Sequence, residues 1–350
     1  MKKHAIIPIF IPHKGCPNDC VFCNQKTITA KTADVSGEDV KRIADTWLTT
    51  LNDPRPDTLE MAFFGGSFTG IPIDQQNEYL DVALDYKHKG LIDKIHMSTR
   101  PDYIDESILD NLKKHEVDVI ELGVQSFDQD VLNASKRGHS VESVYNACDL
   151  IKKYGFTLGI QLMIGLPNDN IEKAFSSAQK TVEIGPQIAR LYPTVILEDT
   201  ELAEMFRNGS YVSPNFETIV EITTGMYRIL SDAGIQIIRV GLKSTDLIKN
   251  STDLAGMYHP AFRQVVQSRI ALEDMEKLLS MSGYKESDAE NIIFYSNSKC
   301  FSDMIGHRAS NKNFFNNKYT HTDFSYKIDD SLDDDAYAIS IAESEHIVVK

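Results

Sequence analysis

Three closely spaced cysteines are the residues of this chain whose types and spacing best suit chemistry. Cys16, Cys20 and Cys23 lie in the segment GCPNDCVFC, which follows the apolar run Ile6–Ile11. Thiolates are soft ligands that suit iron–sulfur and zinc centres. Because closed zinc and cubane sites use four protein ligands, three thiolates leave one metal position open for a substrate or cofactor. The ring of Phe22, directly before the last cysteine, can pack beside whatever binds there.

A structural zinc site and disulfide bonds are two other roles for the cysteines. A structural zinc site stays open as an alternative, because His13 is near enough in the sequence to supply a fourth ligand. Disulfides are disfavoured, because the total of five cysteines is odd and no segment indicates secretion. We expect Cys148 and Cys300 to be partly buried small residues rather than ligands.

Length and composition limit the classes of protein. With 350 residues and 42% hydrophobic content, the chain fits one large domain and one small one. No apolar run approaches the roughly 20 residues of a membrane-spanning helix. The amino-terminal stretch MKKHAIIPIFIP has a short apolar run, two prolines and no small-residue cleavage site. We interpret it as the first strand of a cytoplasmic protein without a membrane partner.

One pattern repeats from residue 5 to about residue 240: an apolar, β-branched run, a turn and then a helical pattern. Such alternation is typical of parallel βαβ units. The predicted strands are Ala5–Ile11, Leu59–Phe64, Lys94–Met97, Val117–Gly123, Thr157–Ile164 and Ile188–Pro193. The predicted helices are Glu38–Leu51, Asp74–Lys87, Glu106–His115, Val141–Tyr154, Ile171–Ile184 and Phe216–Ala233. Six units, rather than eight, predict an α/β fold with an open partial (β/α)6 TIM-like barrel over residues 1–240.

Polar residues and glycines follow each predicted strand. In α/β barrels the active site is built where the carboxyl ends of the strands meet, so these segments predict one site. They are the cysteine loop, Gly65–Ser67, Ser98–Asp102, Val124–Ser126, Gly165–Pro167 and Tyr192–Thr194.

Residues 241–350 show a different pattern, which predicts a small carboxy-terminal α+β domain. A helix over 260–283 is followed by mixed short elements, and the run Asp333–Asp335 predicts a solvated turn. The predicted short elements are a strand at Asn291–Tyr295, helices at Ser298–Ile305 and Asn311–Tyr319, and a polar strand at Phe324–Asp329.

Several residues at the strand ends are suited to hold a ligand. Gly65 and Gly66 lack side chains where a ligand must approach the backbone closely. Gln125 and Gln161 lie on apolar strands and need hydrogen-bond partners, which ribose hydroxyls, a water or a backbone carbonyl would supply. Arg137, in the segment SKRGH, is suited to pair with a carboxylate, or alternatively to cap the next helix from the surface.

Five segments resemble, in order and spacing, the radical S-adenosylmethionine (SAM) domain of the Elongator catalytic subunit family. They are FFGGSFTGIP, STRPDYI, IELGVQS, SKRGH and RLYPTVILEDTEL, and the match covers roughly residues 5–240. The cysteine spacing resembles the wider radical SAM superfamily. The resemblance implies a 4Fe–4S cluster held by Cys16, Cys20 and Cys23, with SAM on the fourth iron. It also implies reductive cleavage of SAM, an electron donor such as ferredoxin or flavodoxin, and a link to modification of the wobble uridine of tRNA.

The same resemblance assigns residues to the cofactor, but it assigns no separate catalytic residue. It implies that Gly65, Gly66 and Ser67 lie near the amino group of SAM, Gln125 and Gln161 near its ribose, and Arg137 near its carboxylate. Ser98 stands where the family usually has a glutamate, and Glu121 or backbone groups are expected to compensate for the lost charge.

Two further functions remain open beside this one. The segments GVQS and GLP are shared with coproporphyrinogen-oxidase-like radical SAM enzymes that act on a small metabolite. A metal-dependent RNA-binding module without enzymatic activity is the third alternative. Since residues 241–350 contain no glycine-rich acetyl-CoA loop, we expect the protein to work without bound acetyl-CoA.

The charge of the chain limits how RNA would be bound. A formal net charge of −15 argues against a broad phosphate-binding surface, although it leaves room for a local basic cleft. The alternative is that the cations near the barrel mouth pair internally, with Arg100 and Arg190 on carboxylates such as Asp102 and Glu121. The cations expected at the mouth are Arg100, Lys136, Arg137, Arg190, Arg239 and Lys243.

Overall fold

The computed structural model divides the chain into two units. The first comprises residues 1–216 and 225–258, and the second comprises residues 217–224 and 259–350. The domain boundary predicted between residues 240 and 241 stays a prediction. The structure describes residues 4–11, 16, 20–23, 35–51, 54–242, 253–284, 291–341 and 347–349.

A seven-stranded parallel sheet forms the first unit and curls into a half-barrel, with its strands in sequence order. The six predicted strands are confirmed, each within two residues of its predicted bounds. The seventh was not predicted, because Gln236 and Arg239 interrupt its apolar run QIIRV. The strands are β1 (His4–Ile11), β2 (Thr58–Gly65), β3 (Lys94–Thr99), β4 (Val119–Gln125), β5 (Thr157–Ile164), β6 (Ile188–Pro193) and β7 (Gln236–Val240).

Helices connect the successive strands, as in other parallel βαβ sheets. Two of them, α4 and α7, were not predicted, because six or seven residues are too few to show a helical period. The helices are α1 (Gly37–Leu51), α2 (Ile73–His88), α3 (Glu106–Lys114), α4 (Gln129–Ala134), α5 (Val141–Lys153), α6 (Ile171–Ile184), α7 (Glu201–Arg207) and α8 (Phe216–Asp232).

Side-chain caps fix where many of these helices begin. A cap side chain accepts a hydrogen bond from a backbone N–H in the first turn, which would otherwise lack a partner. The cap of α4, Asp128, lies three residues after the end of β4, so it also sets the direction in which the chain leaves that strand. The capping residues are Asp105 of α3, Asp128 of α4, Ser140 of α5, Asn170 of α6 and Thr200 of α7.

The two faces of the sheet differ in chemistry. Side chains alternate between the faces of a strand, so Leu158, Ile160 and Leu162 share one face of β5, and all three are fully buried. The other face carries polar groups at neighbouring register positions. Ser98 lies opposite Glu121, and Gln161 lies opposite Arg190. In a half-barrel the helices cover the outer face, so the polar set faces the concave side.

The second unit is a small α+β module, as predicted. Its sheet has the order β11–β10–β8–β9, with β8 and β9 parallel and the other pairs antiparallel. The turn at residues 333–335 is exposed, as expected. Strands β10 and β11 were not predicted. The elements are α9 (Phe262–Met281), β8 (Asn291–Ser296), α10 (Phe301–Ile305), α11 (Ser310–Lys318), β9 (Asp323–Ile328), β10 (Tyr337–Ile341) and β11 (Ile347–Val349).

A membrane-spanning helix is not found in the part of the chain that the structure describes. No helix there is both long enough and apolar enough to cross a bilayer.

Phe315 lies in the core of the second unit. Its side chain is fully buried, and its ring lies 5.0 Å from that of Phe294 and 5.1 Å from that of Phe324. Phe315→Ala should lower the free energy of unfolding by about 3–5 kcal/mol through lost burial and the remaining cavity. Urea unfolding followed by circular dichroism measures this. The matched control is Ile328→Ala, an apolar truncation in the same unit at a side chain that is 53% exposed. Equal losses in both variants would contradict this core.

Candidate functional site

The three clustered cysteines lie beyond the carboxyl end of β1. None of the three is in a disulfide bond, and Cys20 is buried while the other two are half-buried. His13 and the rest of residues 12–15, 17–19 and 24–34 lie outside the described residues. Among the described residues, no three His, Cys, Asp or Glu side chains are arranged as a metal-holding group. Metal ligation by Cys16, Cys20 and Cys23 therefore stays a prediction.

Val21 anchors the cysteine loop to two distant parts of the chain. Its N–H donates to the carbonyl oxygen of Ser135 (3.2 Å), and its own carbonyl accepts from the N–H of Leu202 (2.8 Å). Its side chain is 1% exposed and belongs to an apolar cluster with Leu202 and Tyr211, against which Phe22 packs. The loop is therefore held between the SKRGH turn and the start of α7, two segments that the sequence places more than a hundred residues away.

Arg137 links the loop to β4. Its Nη1 donates to Cys20 Sγ at 3.4 Å, and its Nη2 donates to the carbonyl oxygen of Gly123 at 2.5 Å. These two contacts hold the sulfur of Cys20 beside the end of β4. The structure thus places Arg137 inside the site, 7% exposed, rather than on the surface at a helix cap. Its predicted contact with a cofactor carboxylate stays a prediction.

The Gly65–Gly66 turn is shaped by the end of β1. Gly65 has φ +118°, and a Cβ there would lie 2.4 Å from the carbonyl oxygen of Ile11. That oxygen accepts a hydrogen bond from the N–H of Gly66 (3.2 Å). Only glycine tolerates both the backbone conformation and the close approach at position 65. The turn therefore brings backbone, without side chains, next to the start of the cysteine loop.

Ser67 joins this turn to the neighbouring strand end. Its Oγ lies 2.8 Å from Thr99 Oγ1 and accepts from the N–H of Arg100 at 3.2 Å. The residue is 2% exposed, so its hydroxyl is committed to internal hydrogen bonds. Gly66 and Ser67 line a small cleft together with Ser98 and Phe64, among others.

Gln125 and Gln161 contact each other on the concave face. Nε2 of Gln161 donates to Oε1 of Gln125 at 3.2 Å. Gln125 is 4% exposed and has φ +71°, an uncommon conformation for a residue other than glycine, at the point where the β4–β5 register shifts. The two amides thus supply part of each other's hydrogen bonding, and their predicted contact with a ribose stays a prediction.

Ser98 reaches a carboxylate on the next strand. Its Oγ donates to Oε1 of Glu121 at 3.2 Å. Oε2 of Glu121 forms an ion pair with Nε of Arg190 at 2.6 Å, and the guanidinium lies 4.9 Å above the ring of Phe64. The carboxylate of Glu121 is therefore one hydrogen bond away from the hydroxyl of Ser98.

Most of the cations expected at the barrel mouth have internal partners. Arg100 pairs with both oxygens of Asp102, at 2.9 and 2.8 Å, and Arg190 pairs with Glu121. Lys136 pairs with Glu201 at 2.6 Å. The internal-pairing alternative is therefore confirmed for Arg100 and Arg190. Lys243 lies outside the described residues.

Two buried titratable groups near the strand ends, His139 and Asp169, have shifted pKa values. Burial, followed by the charge of Arg137, lowers the pKa of His139 to about 3, and its Nε2 donates to the carbonyl oxygen of Val124 at 3.2 Å. Burial raises the pKa of Asp169 to about 6 in the turn after β5. His139 is thus a neutral imidazole near neutral pH.

The remaining two cysteines behave as buried small residues. Cys148 is fully buried, and burial raises the pKa of its thiol to about 12. Cys300 is 6% exposed, and burial raises its pKa as well. Both thiols are therefore poor sources of a metal-binding thiolate.

Sequence reasoning missed Glu60 and His96, which continue the polar set around Glu121. His96 is 1% exposed, and its Nδ1 lies 3.0 Å from Oε2 of Glu60. The signal was present in the sequence, since both residues interrupt apolar strand runs, LEMAFF and KIHMST. Ionisable residues within such runs need a partner when buried.

Two family models match the chain. The model of the radical SAM superfamily matches residues 10–179, and that of the radical SAM C-terminal domain matches residues 186–271. The solved structure of the archaeal Methanocaldococcus infernus Elp3, with an N-terminal deletion, aligns with a TM-score of 0.62 at 21% identity. That alignment covers 81% of this chain and 64% of the other, and it shows the same fold.

Curated relatives match over part of their length. A tRNA uridine(34) acetyltransferase of Methanocaldococcus infernus is 31% identical over 188 residues, which cover 47% of this chain and 35% of the relative. Elongator complex protein 3 of Saccharomyces cerevisiae is 26% identical over 222 residues, 55% of this chain and 40% of the relative. The chain thus matches well under half the length of each.

The cysteine loop lies at the carboxyl edge of a parallel half-barrel, beside a glycine turn and a paired set of amides. The two family models together span most of residues 10–271. The chain belongs to the radical SAM superfamily of enzymes.

Proposed function

We propose that this enzyme holds a 4Fe–4S cluster through Cys16, Cys20 and Cys23 and cleaves SAM reductively. When bound, the cluster supplies the electron that splits SAM into methionine and a 5′-deoxyadenosyl radical, which takes a hydrogen atom from the substrate. The observation that carries the proposal is the anchoring of the cysteine loop through Val21, with Nη1 of Arg137 donating to Cys20 Sγ at 3.4 Å. Three thiolates suit iron and leave one coordination position for the cofactor.

The chain's own residues hold the cysteine loop in place. Arg137 is buried, so its charge acts on Cys20 with little screening from water. Its second contact, to the carbonyl of Gly123, fixes the guanidinium against β4. The apolar cluster around Val21 keeps the loop in place and limits the access of water from that side. The electron is proposed to come from a small redox protein of the ferredoxin or flavodoxin type.

Ser98 is the proposed acceptor for the amino group of SAM. Its O–H is committed to Glu121 Oε1, so its lone pairs remain for a donor in the cleft that Gly66 and Ser67 also line. Glu121 is 2% exposed and does not reach the cleft itself. Ser98 would therefore pass the effect of the buried carboxylate to an ammonium group, and this compensates for the glutamate that the family usually has here. Gln125 and Gln161 are proposed to lie near the ribose of SAM and Arg137 near its carboxylate, and Phe22 is proposed to pack beside the bound cofactor.

Loss of any one clustered cysteine should remove the cluster. Cys16→Ala, Cys20→Ala and Cys23→Ala should each abolish the brown absorbance at about 400 nm that arises from thiolate-to-iron charge transfer. Anaerobic reconstitution, iron analysis and visible spectra measure this. Cys148→Ala is the control and should keep full iron and colour, since its thiol is buried with a pKa of about 12. Zinc without iron in the reconstituted wild type would contradict the assignment and favour the structural zinc alternative.

Ser98→Ala should weaken SAM binding by about 1.5–3 kcal/mol, the range for a hydrogen bond to a charged group. Calorimetry on the reconstituted protein measures the affinity. The control ligand is 5′-methylthioadenosine, which lacks the amino acid moiety and should bind both proteins equally. Gly66→Val should block SAM sterically while the cluster stays intact. An unchanged SAM affinity in Ser98→Ala would remove Ser98 from the binding site.

The substrate is proposed to be a tRNA. The support is the collinear similarity to proteins named tRNA uridine(34) acetyltransferase and Elongator complex protein 3. Because Arg100, Lys136 and Arg190 are engaged in ion pairs, the proposed contact with RNA relies on few phosphates. The proposed reaction proceeds without bound acetyl-CoA.

Binding of tRNA should therefore depend only shallowly on salt. Each neutralised phosphate contributes a slope of about −0.7 to −0.9 in a plot of log affinity against log salt, and we expect only a few such contacts. Filter binding with a total tRNA pool measures the slope, and nucleoside mass spectrometry after turnover identifies the modified base. Undetectable tRNA binding, together with release of 5′-deoxyadenosine stimulated by a porphyrinogen, would favour the small-metabolite alternative instead.

A further inference from the structure

A chain of ionisable side chains crosses the concave face of the half-barrel from β1 to β4. It begins at His4, whose side chain is 45% exposed, and leads inward to Glu60 and then to His96, which is 1% exposed. It continues to Glu121, which is 2% exposed, and ends at Ser98 in the cleft beside Gly66. The first residue of β1 is thus connected to the opposite edge of the sheet, where the proposed cofactor site lies.

The separations along this chain are those of hydrogen bonds, with one exception. His4 Nε2 lies 3.1 Å from Glu60 Oε1, and Glu60 Oε2 lies 3.0 Å from His96 Nδ1. Glu121 Oε1 accepts from Ser98 Oγ at 3.2 Å. His96 Nε2 and Glu121 Oε2 are 3.8 Å apart, an ion-pair distance, so a transfer there needs a small ring rotation or a bridging water.

His96 stands between two carboxylates, and this makes it suited to pass a proton. A neutral imidazole donates from one ring nitrogen and accepts at the other, whereas its protonated form donates from both. Nδ1 faces Glu60, and Nε2 is buried and faces Glu121 without a hydrogen bond of its own. A proton taken up at Nε2 therefore permits release of the other proton at Nδ1.

Both carboxylates have a further partner besides His96. Burial alone would raise the pKa of Glu60, but the hydrogen bonds and charges of His96 and His4 outweigh it and lower the pKa. On the other side, Arg190 from β6 pairs with Glu121 Oε2 at 2.6 Å. The lowered pKa keeps Glu60 in the ionised form, so it takes up a proton from His96 only transiently.

We propose that His4, Glu60, His96, Glu121 and Ser98 form a proton path between solvent at the amino-terminal edge of the sheet and the cleft at its carboxyl edge. A proton leaving the cleft passes from Ser98 to Glu121, then to Nε2 of His96, from its Nδ1 to Glu60, and through His4 to water. Each transfer moves one proton and no electron, and the reverse direction uses the same groups.

The use of such a path rests on the proposed function. A radical formed in the barrel is protected when the site is closed to water. A closed site, however, cannot exchange protons with solvent through the mouth of the barrel. A path through the floor of the half-barrel would let a bound ligand change its protonation state while the mouth stays closed. His96 and Glu60 are positioning residues in this scheme, since neither reaches the cleft.

Exchange of the His96 ring proton with water tests the path without any substrate. The full chain is labelled with 15N in its histidine rings, and the His96 signal is assigned by its loss in His96→Asn. His4→Phe removes the solvent end of the path and should slow exchange at His96 about tenfold or more, as expected when proton transfer loses its positioned acceptor. The matched control is His88→Phe, since His88 is an exposed histidine 3.0 Å from Glu116 and has no link to His96.

The outcomes decide between a path and a static ion-pair network. Slower exchange in His4→Phe alone supports the path. Unchanged exchange in His4→Phe would overturn it. SAM binding by the wild type and His4→Phe is measured in parallel and should be equal. If neither protein binds SAM, the proposed function fails, while the exchange result still decides whether the path exists.

Discussion

The structure of the proposed site depends on how the cysteine loop is held after β1. The described residues of this loop, 16 and 20–23, lie in no helix or strand, so tertiary contacts must set their position. Val21 provides them through two backbone hydrogen bonds, to Ser135 and Leu202, and through a side chain that is 1% exposed. The apolar cluster beside it excludes water from these hydrogen bonds, and this strengthens them. The SKRGH turn thereby brings Arg137 to Cys20.

The second constraint is the cost of placing charges on the concave face. Glu121, His96 and Arg190 are each less than one-tenth exposed, and burial of a lone charge is strongly unfavourable. They are tolerated because each faces an opposite or titratable partner on another strand of the same sheet. Removing one partner of such a buried pair typically costs about 3–5 kcal/mol, since the other charge is left uncompensated. An apolar layer would stabilise the barrel without this cost in free energy, so the buried charges indicate that the concave face has a function.

Much of the fold was predictable because each strand and helix carries its own local signal. Near-continuous apolar runs such as Thr157–Ile164 identify buried parallel strands, and the alternation with helical patterns implies the half-barrel. β7 was not predicted because Gln236 and Arg239 leave only a short apolar run in it, and α4 was not predicted because it is only six residues long. These elements are fixed by their neighbours rather than by their own composition.

The site was predictable in its members and less so in their contacts. The residues at the strand ends were identifiable, because parallel strands bring their carboxyl ends to one edge. The contact of Arg137 with Cys20, the pairing of Gln125 with Gln161, and the bond from Ser98 to Glu121 are set by register and rotamer. The spacing of these residues in the sequence encodes neither the strand register nor the side-chain rotamer. The ion pairs of Arg100 and Arg190 show the same limit, since a cation near a site can serve the fold as well as a substrate.

Direct detection of SAM cleavage is the measurement that tests the central claim most closely. The reconstituted chain is reduced anaerobically, incubated with SAM and examined by mass spectrometry for 5′-deoxyadenosine and methionine. The account predicts that both appear in equal amounts and that both are absent from Cys20→Ala. A protein with full iron content that gives no more 5′-deoxyadenosine than Cys20→Ala would contradict it, as would S-adenosylhomocysteine as the sole product.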